Sequence, residues 1–248
     1  MLRVAFRYAP LGVLLLIWEA VTLVRLVPSE ILPGPLSVLN ALRDLIVGGD
    51  LVSNAARSLL RAAYGYGLAV VVGILLGLTM ATSRPMRLVL NPLVQLFYPM
   101  PKSALIPLVM IWFGLGDASK IFLIFLGCLL PVIISTYNGA RGVNHYYTWS
   151  AASLGASRFD VLREIVLPAA MPEILAGCRT ALAFSFILMV SSEFIIAKDG
   201  VGFLISTLGD GGAYPSMFAV ILVVSLAGFA ADQTFAAFMR RRLRWRNA

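Results

Sequence analysis

The chain has 248 residues, of which 60% are Ala, Val, Ile, Leu, Met, Phe, Trp, Tyr or Cys and only 13% are charged, and its mean hydropathy is +0.89. Soluble domains sit nearer half apolar and a quarter charged, and a 26.8 kDa globule exposes too much surface per unit volume to hide this excess from water. A soluble enzyme is excluded, a disordered chain is excluded because disorder requires low hydrophobicity, and what remains is an integral membrane protein.

A membrane-crossing helix needs about 20 apolar residues, and six stretches qualify in chain order: 9–27, 60–81, 88–113, 121–137, 173–197 and 217–239. The first follows Arg3 and Arg7 like a secretory signal, but its apolar run is long and no small-x-small cleavage site follows at 25–30, so it reads as a retained helix. Between the first two stretches, Leu36, Leu39, Leu42, Leu45 and Ile46 set an amphipathic helix, expected along the outer interface. The third stretch contains Pro92, Pro99, Pro101 and Pro107. Each proline removes a backbone donor, so this span is expected to be kinked or broken and packed against protein rather than lipid.

The net charge of +8 follows membrane topology and implies no nucleic-acid partner. With the N-terminus inside, cytoplasmic segments hold twelve Lys and Arg, namely Arg3, Arg7, Arg84, Arg87, Arg141, Arg158, Arg163, Arg240, Arg241, Arg242, Arg244 and Arg246. The opposite side holds six: Arg25, Arg43, Arg57, Arg61, Lys120 and Lys198. The bias places both termini in the cytoplasm. Cys128 and Cys178 lie in apolar stretches and read as buried free thiols. A single histidine, His145, argues against a histidine-based metal cluster, and no metal site is expected.

The connection 138–172 is the longest on the cytoplasmic side and carries local signals. Ser150-Ala151-Ala152-Ser153-Leu154 is rich in small residues and ends at Gly155, a helix C-cap residue. Ser157-Arg158-Phe159-Asp160 has the Ser-x-x-Asp form of a helix-start capping box. The next segment, 159–166, is expected to stop at Pro168, and Pro172 to open the fifth span. Two short helices joined by a glycine corner should project from the membrane, with small side chains that let another protein approach.

Ala151-Ala152-x-x-Gly155, followed after nine residues by Ile165-x-Leu167-Pro168, resembles the EAA loop of permease subunits of binding-protein-dependent ABC importers, with Ser150 read at the place of the family's leading glutamate. Leu32-Pro33-Gly34-Pro35, Tyr98-Pro99-Met100-Pro101, Trp112-Phe113-Gly114-Leu115-Gly116, Ser153-Leu154-Gly155-Ala156-Ser157, and Glu193 followed by Gly200-Val201-Gly202 are similar to the nitrate/sulfonate/taurine branch. The resemblance implies an all-α, polytopic, six-span permease of the type I importer kind, a single domain over 1–248, in a bacterial inner membrane. It implies two ATP-binding subunits that hold ATP and Mg, a periplasmic or lipid-anchored solute-binding protein, and a second permease copy in a homodimer. It assigns coupling to Ser150, Ala151, Ala152, Gly155, Ala156, Ser157, Ile165, Leu167 and Pro168. This chain itself would bind no cofactor and carry no catalytic residue. The implied cargo is a small anion such as a sulfonate, taurine or nitrate, with pyrimidine precursors or riboflavin as the family's other cargoes.

Charged residues inside spans are costly in lipid and so mark function or pairing. Glu19 is read as snorkelling or pairing with Arg25, and Arg179 and Asp232 as snorkelling or paired. Lys102 admits two readings, an anion-attracting residue or a structural ion pair. Glu193, just ahead of Gly200-x-Gly202, is assigned by the resemblance to a gate region, so Lys102, Glu193, Gly200 and Gly202 form the candidate translocation path. Gly73-x-x-x-Gly77 is a close-packing pattern for membrane helices, within one subunit or between two. Two other classes stand beside the importer. An ion-gradient-driven transporter would show inverted repeats with broken helices in both halves, and a membrane-embedded enzyme would cluster His, Asp, Glu or Cys at one depth. Only one proline-broken span and scattered carboxylates are found.

Overall fold

The structure, a computed structural model, describes residues 2–24, 26–28 and 31–247. The described residues are helical, without strands: α1 (Leu2–Leu23), α2 (Pro35–Val47), α3 (Asp50–Thr82), α4 (Arg84–Phe97), α5 (Ile106–Phe113), α6 (Asp117–Arg141), α7 (His145–Ser153), α8 (Arg158–Val161), α9 (Leu167–Ile196), α10 (Val201–Asp210) and α11 (Tyr214–Arg242). Among the described residues, four helices are long and apolar enough to cross a membrane: α3, α6, the run from α8 through α9, and α11. The pair α4 and the short helical segment ending at Phe113 makes a fifth if it is counted as one span, and it is bent by 91°. That bend meets the expectation from the prolines. In α1 the apolar part, Gly12–Leu23, is shorter than these spans. The suggested pairing of Glu19 with Arg25 lies outside the described residues.

Two compact units divide the chain, Met1–Ser58 with Glu193–Ala227 and Leu59–Ser192 with Gly228–Ala248. In the first, α1 is tied to the turn before α2 by the Trp18 indole, which donates to the Pro33 carbonyl at 3.0 Å. Amphipathic α2 buries only Val38 and leaves Leu36, Leu39 and Ile46 exposed.

In the second unit, α6 is the central element, with Leu123, Ile124, Cys128, Val132 and Ile133 buried. The glycines of α3 make this packing possible. A side chain at Gly65 would meet Ile124 at 2.8 Å, one at Gly73 would meet Val132 at 2.8 Å, and one at Gly77 would meet Thr136 at 2.6 Å. Residues 65, 73 and 77 thus form a groove that receives 124, 132 and 136 of α6 at the same spacing. The Gly-x-x-x-Gly pattern packs helices of one chain, which decides between the two sequence readings. Gly77→Ala should therefore cost about 1–3 kcal/mol through overpacking, whereas Gly67→Ala, with nothing within 4 Å, should be neutral. Thermal unfolding of the two variants in detergent checks the contrast.

Two expectations from the sequence do not hold. Pro168 does not stop a helix, since α8 runs through a π-helical turn, Leu162–Val166, into α9. The wider i to i+5 turn takes up the missing proline donor and moves the carbonyl that its ring would strike. The first helix of the broken span also buries no residue of its own. Leu90 and Val94 pack partly on the Met80–Leu130–Ile133 cluster, while Leu88, Val89 and Leu96 stay exposed.

Candidate docking loop, carboxylate clamp and membrane cavity

The loop expected to dock a partner is built from two caps. At the end of α7, the Gly155 N–H donates to the Ala152 carbonyl at 3.1 Å and the Ala156 N–H to the Ala151 carbonyl at 3.0 Å. This Schellman pairing requires a left-handed residue between them, and Gly155 has φ +87°. After the corner, Ser157 and Asp160 cap each other reciprocally: the Asp160 N–H donates to Ser157 Oγ at 3.2 Å and the Ser157 N–H to Asp160 Oδ2 at 3.1 Å. At the start of α7, the Asn144 side chain accepts from the Tyr146 N–H at 3.0 Å. Local caps on both sides therefore define the corner.

The loop's surface is apolar where water would favour polar groups. Leu154, beside the corner, is 87% exposed, and Tyr146, Tyr147, Trp149 and Phe159 are also exposed. Ser150 and Ala151 share a groove of 780 Å³ with Leu154, Ile165, Pro168 and Trp245. The sequence-assigned loop residues are thus brought together: Ser150, Ala151 and Ala152 on the last turns of α7, Gly155, Ala156 and Ser157 at the corner, Ile165 in the π turn, and Leu167 and Pro168 opening α9. Trp245 was not foreseen, because it lies far along the chain in an arginine-rich run.

Glu193 is fully buried. The Ser58 hydroxyl donates to its carboxylate, 2.8 and 2.6 Å from the two oxygens, and the Gly202 N–H donates to Oε2 at 3.1 Å. Ser58 Oγ also accepts from the Val201 N–H at 2.9 Å, and Asn54 Oδ1 accepts from the Gly200 N–H at 2.6 Å. Three consecutive backbone donors at the start of α10 are therefore satisfied, with a carboxylate at the positive end of the helix dipole. Gly200, at φ +107°, has no room for a side chain because a Cβ would strike that carboxylate. Beside it Arg57 pairs with Asp199 at 2.5 Å. Glu193, Gly200 and Gly202, separate candidates in the sequence, form one clamp. Lys102 belongs to the other unit, and Asn54 and Ser58 were missed: both are short polar residues at the polar start of a long helix, with nothing nearby in sequence to mark a partner.

Lys102 makes a contact that neither sequence reading foresaw. Its ammonium donates to the Phe97 carbonyl at 2.9 Å and the Tyr98 carbonyl at 2.8 Å, capping the C-terminus of α4. It also lines a cavity of 570 Å³ in the same unit. Arg179 is paired as one alternative foresaw: its Nε and second guanidinium nitrogen donate to the two Asp232 oxygens at 2.6 and 2.7 Å. Arg61, counted as a loop charge, is buried and donates to Asp117 at 2.8 Å. Cys128 and Cys178 are buried free thiols.

The apolar helices and the bent pair define a polytopic membrane protein, and the loop between α7 and α9 carries an exposed apolar surface. Residues 69–244 match the family described as binding-protein-dependent transport system inner membrane component. The chain is 35% identical over 248 residues to the taurine transport system permease protein TauC of Escherichia coli K12, spanning 98% of this chain and 90% of that one. It is 32% identical over 237 residues to the putative aliphatic sulfonates transport permease protein SsuC of Bacillus subtilis 168, spanning 96% and 86%. Its fold is similar to that of the inward-facing MetNI methionine ABC transporter, with TM-score 0.68 at 16% identity over 79% of this chain and 97% of that chain. The chain belongs to the inner-membrane permease family of binding-protein-dependent ABC importers. It is the membrane subunit of such an importer and not its ATPase, and ATP is used by a partner subunit while a solute-binding protein supplies the cargo.

Proposed function

We propose that two copies of this chain form the pathway for a small anion of the sulfonate, taurine or nitrate kind, with two ATPase subunits docked on the loops around Gly155. Both termini and these loops face the cytoplasm, and a binding protein delivers solute on the opposite side. ATP with Mg, held by the ATPase pair, closes that pair. The two α7–α8 corners move with it, and each permease rocks between inward-open and outward-open states. The loop transmits force and does no chemistry. The observation that carries this reading is the apolar surface around a rigid corner, with Leu154 87% and Trp149 64% exposed beyond the apolar spans. Exposed patches of this kind mark protein contacts. A cargo that bears a sulfonate group is supported by the taurine and aliphatic sulfonate names of the relatives.

The test is an affinity pull-down of the tagged chain from its own membranes in mild detergent. An ATP-binding subunit should co-purify, and Gly155→Val should lose it while remaining in the membrane. Recovery of the wild-type chain alone under several gentle conditions would overturn the docking assignment.

A further inference from the structure

We propose that Lys102 makes the membrane cavity of this subunit a charge filter that admits anions and repels cations, so that part of the importer's selectivity resides in the permease as well as in the binding protein. The inference rests on the permease reading only in treating the cavity as part of the solute's path.

The cavity of 570 Å³ is bounded by residues of α6, α9 and the bent segment between α4 and α5. Among the described residues that line it, Lys102 alone carries a charge, and the remaining polar residues are neutral, Ser103, Ser135, Thr180 and Ser191 among them. No carboxylate lines the space, so the positive charge is not answered there by an opposite one. The two backbone carbonyls that hold the ammonium accept two of its three N–H groups. They fix its position and soften its charge without cancelling it, since a carbonyl bears only a partial negative charge. A charged side chain within a span is expensive unless it faces a polar cavity or a partner, and this one faces a cavity. In surroundings of low dielectric a single charge acts over several ångströms with little screening. An anion entering here would meet an attractive field and hydroxyl groups able to turn donors toward it; a cation would meet the same field with opposite sign.

The test needs no knowledge of the cargo. In a Cys128→Ala, Cys178→Ala background, Thr180→Cys places a thiol on the cavity wall at an exposed position. The full chain, with its ATPase subunits in native membranes, is treated with 2-sulfonatoethyl methanethiosulfonate, an anion, and with its trimethylammonium-ethyl counterpart, a cation of similar size. The anion-to-cation rate ratio, divided by that of free 2-mercaptoethanol, should be about tenfold or more in favour of the anion. Lys102→Gln keeps an N–H donor for the two carbonyls and removes the charge; it should bring the ratio to near one, while Lys102→Arg should preserve it. An unbiased ratio with Lys102 present, an unchanged bias in Lys102→Gln, or no reaction with either reagent would each overturn the proposal. Failure to recover an ATPase in the pull-down would count against the docking assignment and leave this ratio unaffected.

Discussion

Replacing Gly155 with valine is expected to lower ATP-driven uptake more than tenfold while leaving the amount of protein in the membrane unchanged. The residue sits at φ +87° with nothing within 4 Å of where a side chain would begin, so the cost is conformational and not steric crowding. A left-handed backbone costs an ordinary L residue about 1–2 kcal/mol, and a β-branched residue is a still poorer fit there. Relief of that strain means loss of the paired bonds from Gly155 to Ala152 and from Ala156 to Ala151, which set the angle between α7 and α8. Because the corner lies outside the packed spans, insertion and folding should survive its distortion. Asparagine tolerates the left-handed region, so Gly155→Asn should retain much of the uptake lost in Gly155→Val. Uptake by Gly155→Val at the wild-type rate would remove the corner from the coupling route.

The second large effect is expected at Glu193. Alanine there leaves the Gly202 N–H without its acceptor and Ser58 without the group it donates to, all within a buried site. Each orphaned buried group costs about 1–3 kcal/mol. A loss of about 3 kcal/mol should lower the unfolding midpoint in detergent by about 6–12 °C for a chain of this size. Hydrogen exchange at residues 199–203 should rise most, because three consecutive donors there depend on Asn54, Ser58 and Glu193. Glu193→Gln, which preserves shape and one carbonyl acceptor, should lose less. A midpoint shift below 2 °C in the alanine variant would mean that the clamp contributes little to the fold.

These two sites differ in how far the sequence alone reveals them. The Gly155 corner is made of residues a few positions apart, so Gly after a short helix and Ser-x-x-Asp after the Gly were enough to place both caps. The clamp joins residues 54 and 58 to 193 and 200–202. Only the glutamate and the glycines carry a local signal, the first as a charge inside a span and the others through the family resemblance. Lys102 was visible as a costly charge, but its contacts were not, because its carbonyl partners exist as a set only when α4 ends at the bend. Pro168 misled for a related reason. A proline ends a regular α-helix, but a π turn, whose formation depends on the surrounding chain, lets the helix continue.

Composition and pattern by themselves determined that this chain lives in a membrane, that its third span is broken, and that residues 150–168 form a capped corner. These properties depend on apolar surface, missing backbone donors and φ preferences, all of which act within a few residues. Tertiary structure alone decided that Gly65, Gly73 and Gly77 receive α6, that Arg179 meets Asp232, and that Ser58 meets Glu193. Each of these is a contact between segments far apart in the chain. The hydrophobic pattern says which faces must be covered and which charges must be answered, but it does not specify which distant helix supplies the cover or the answering charge.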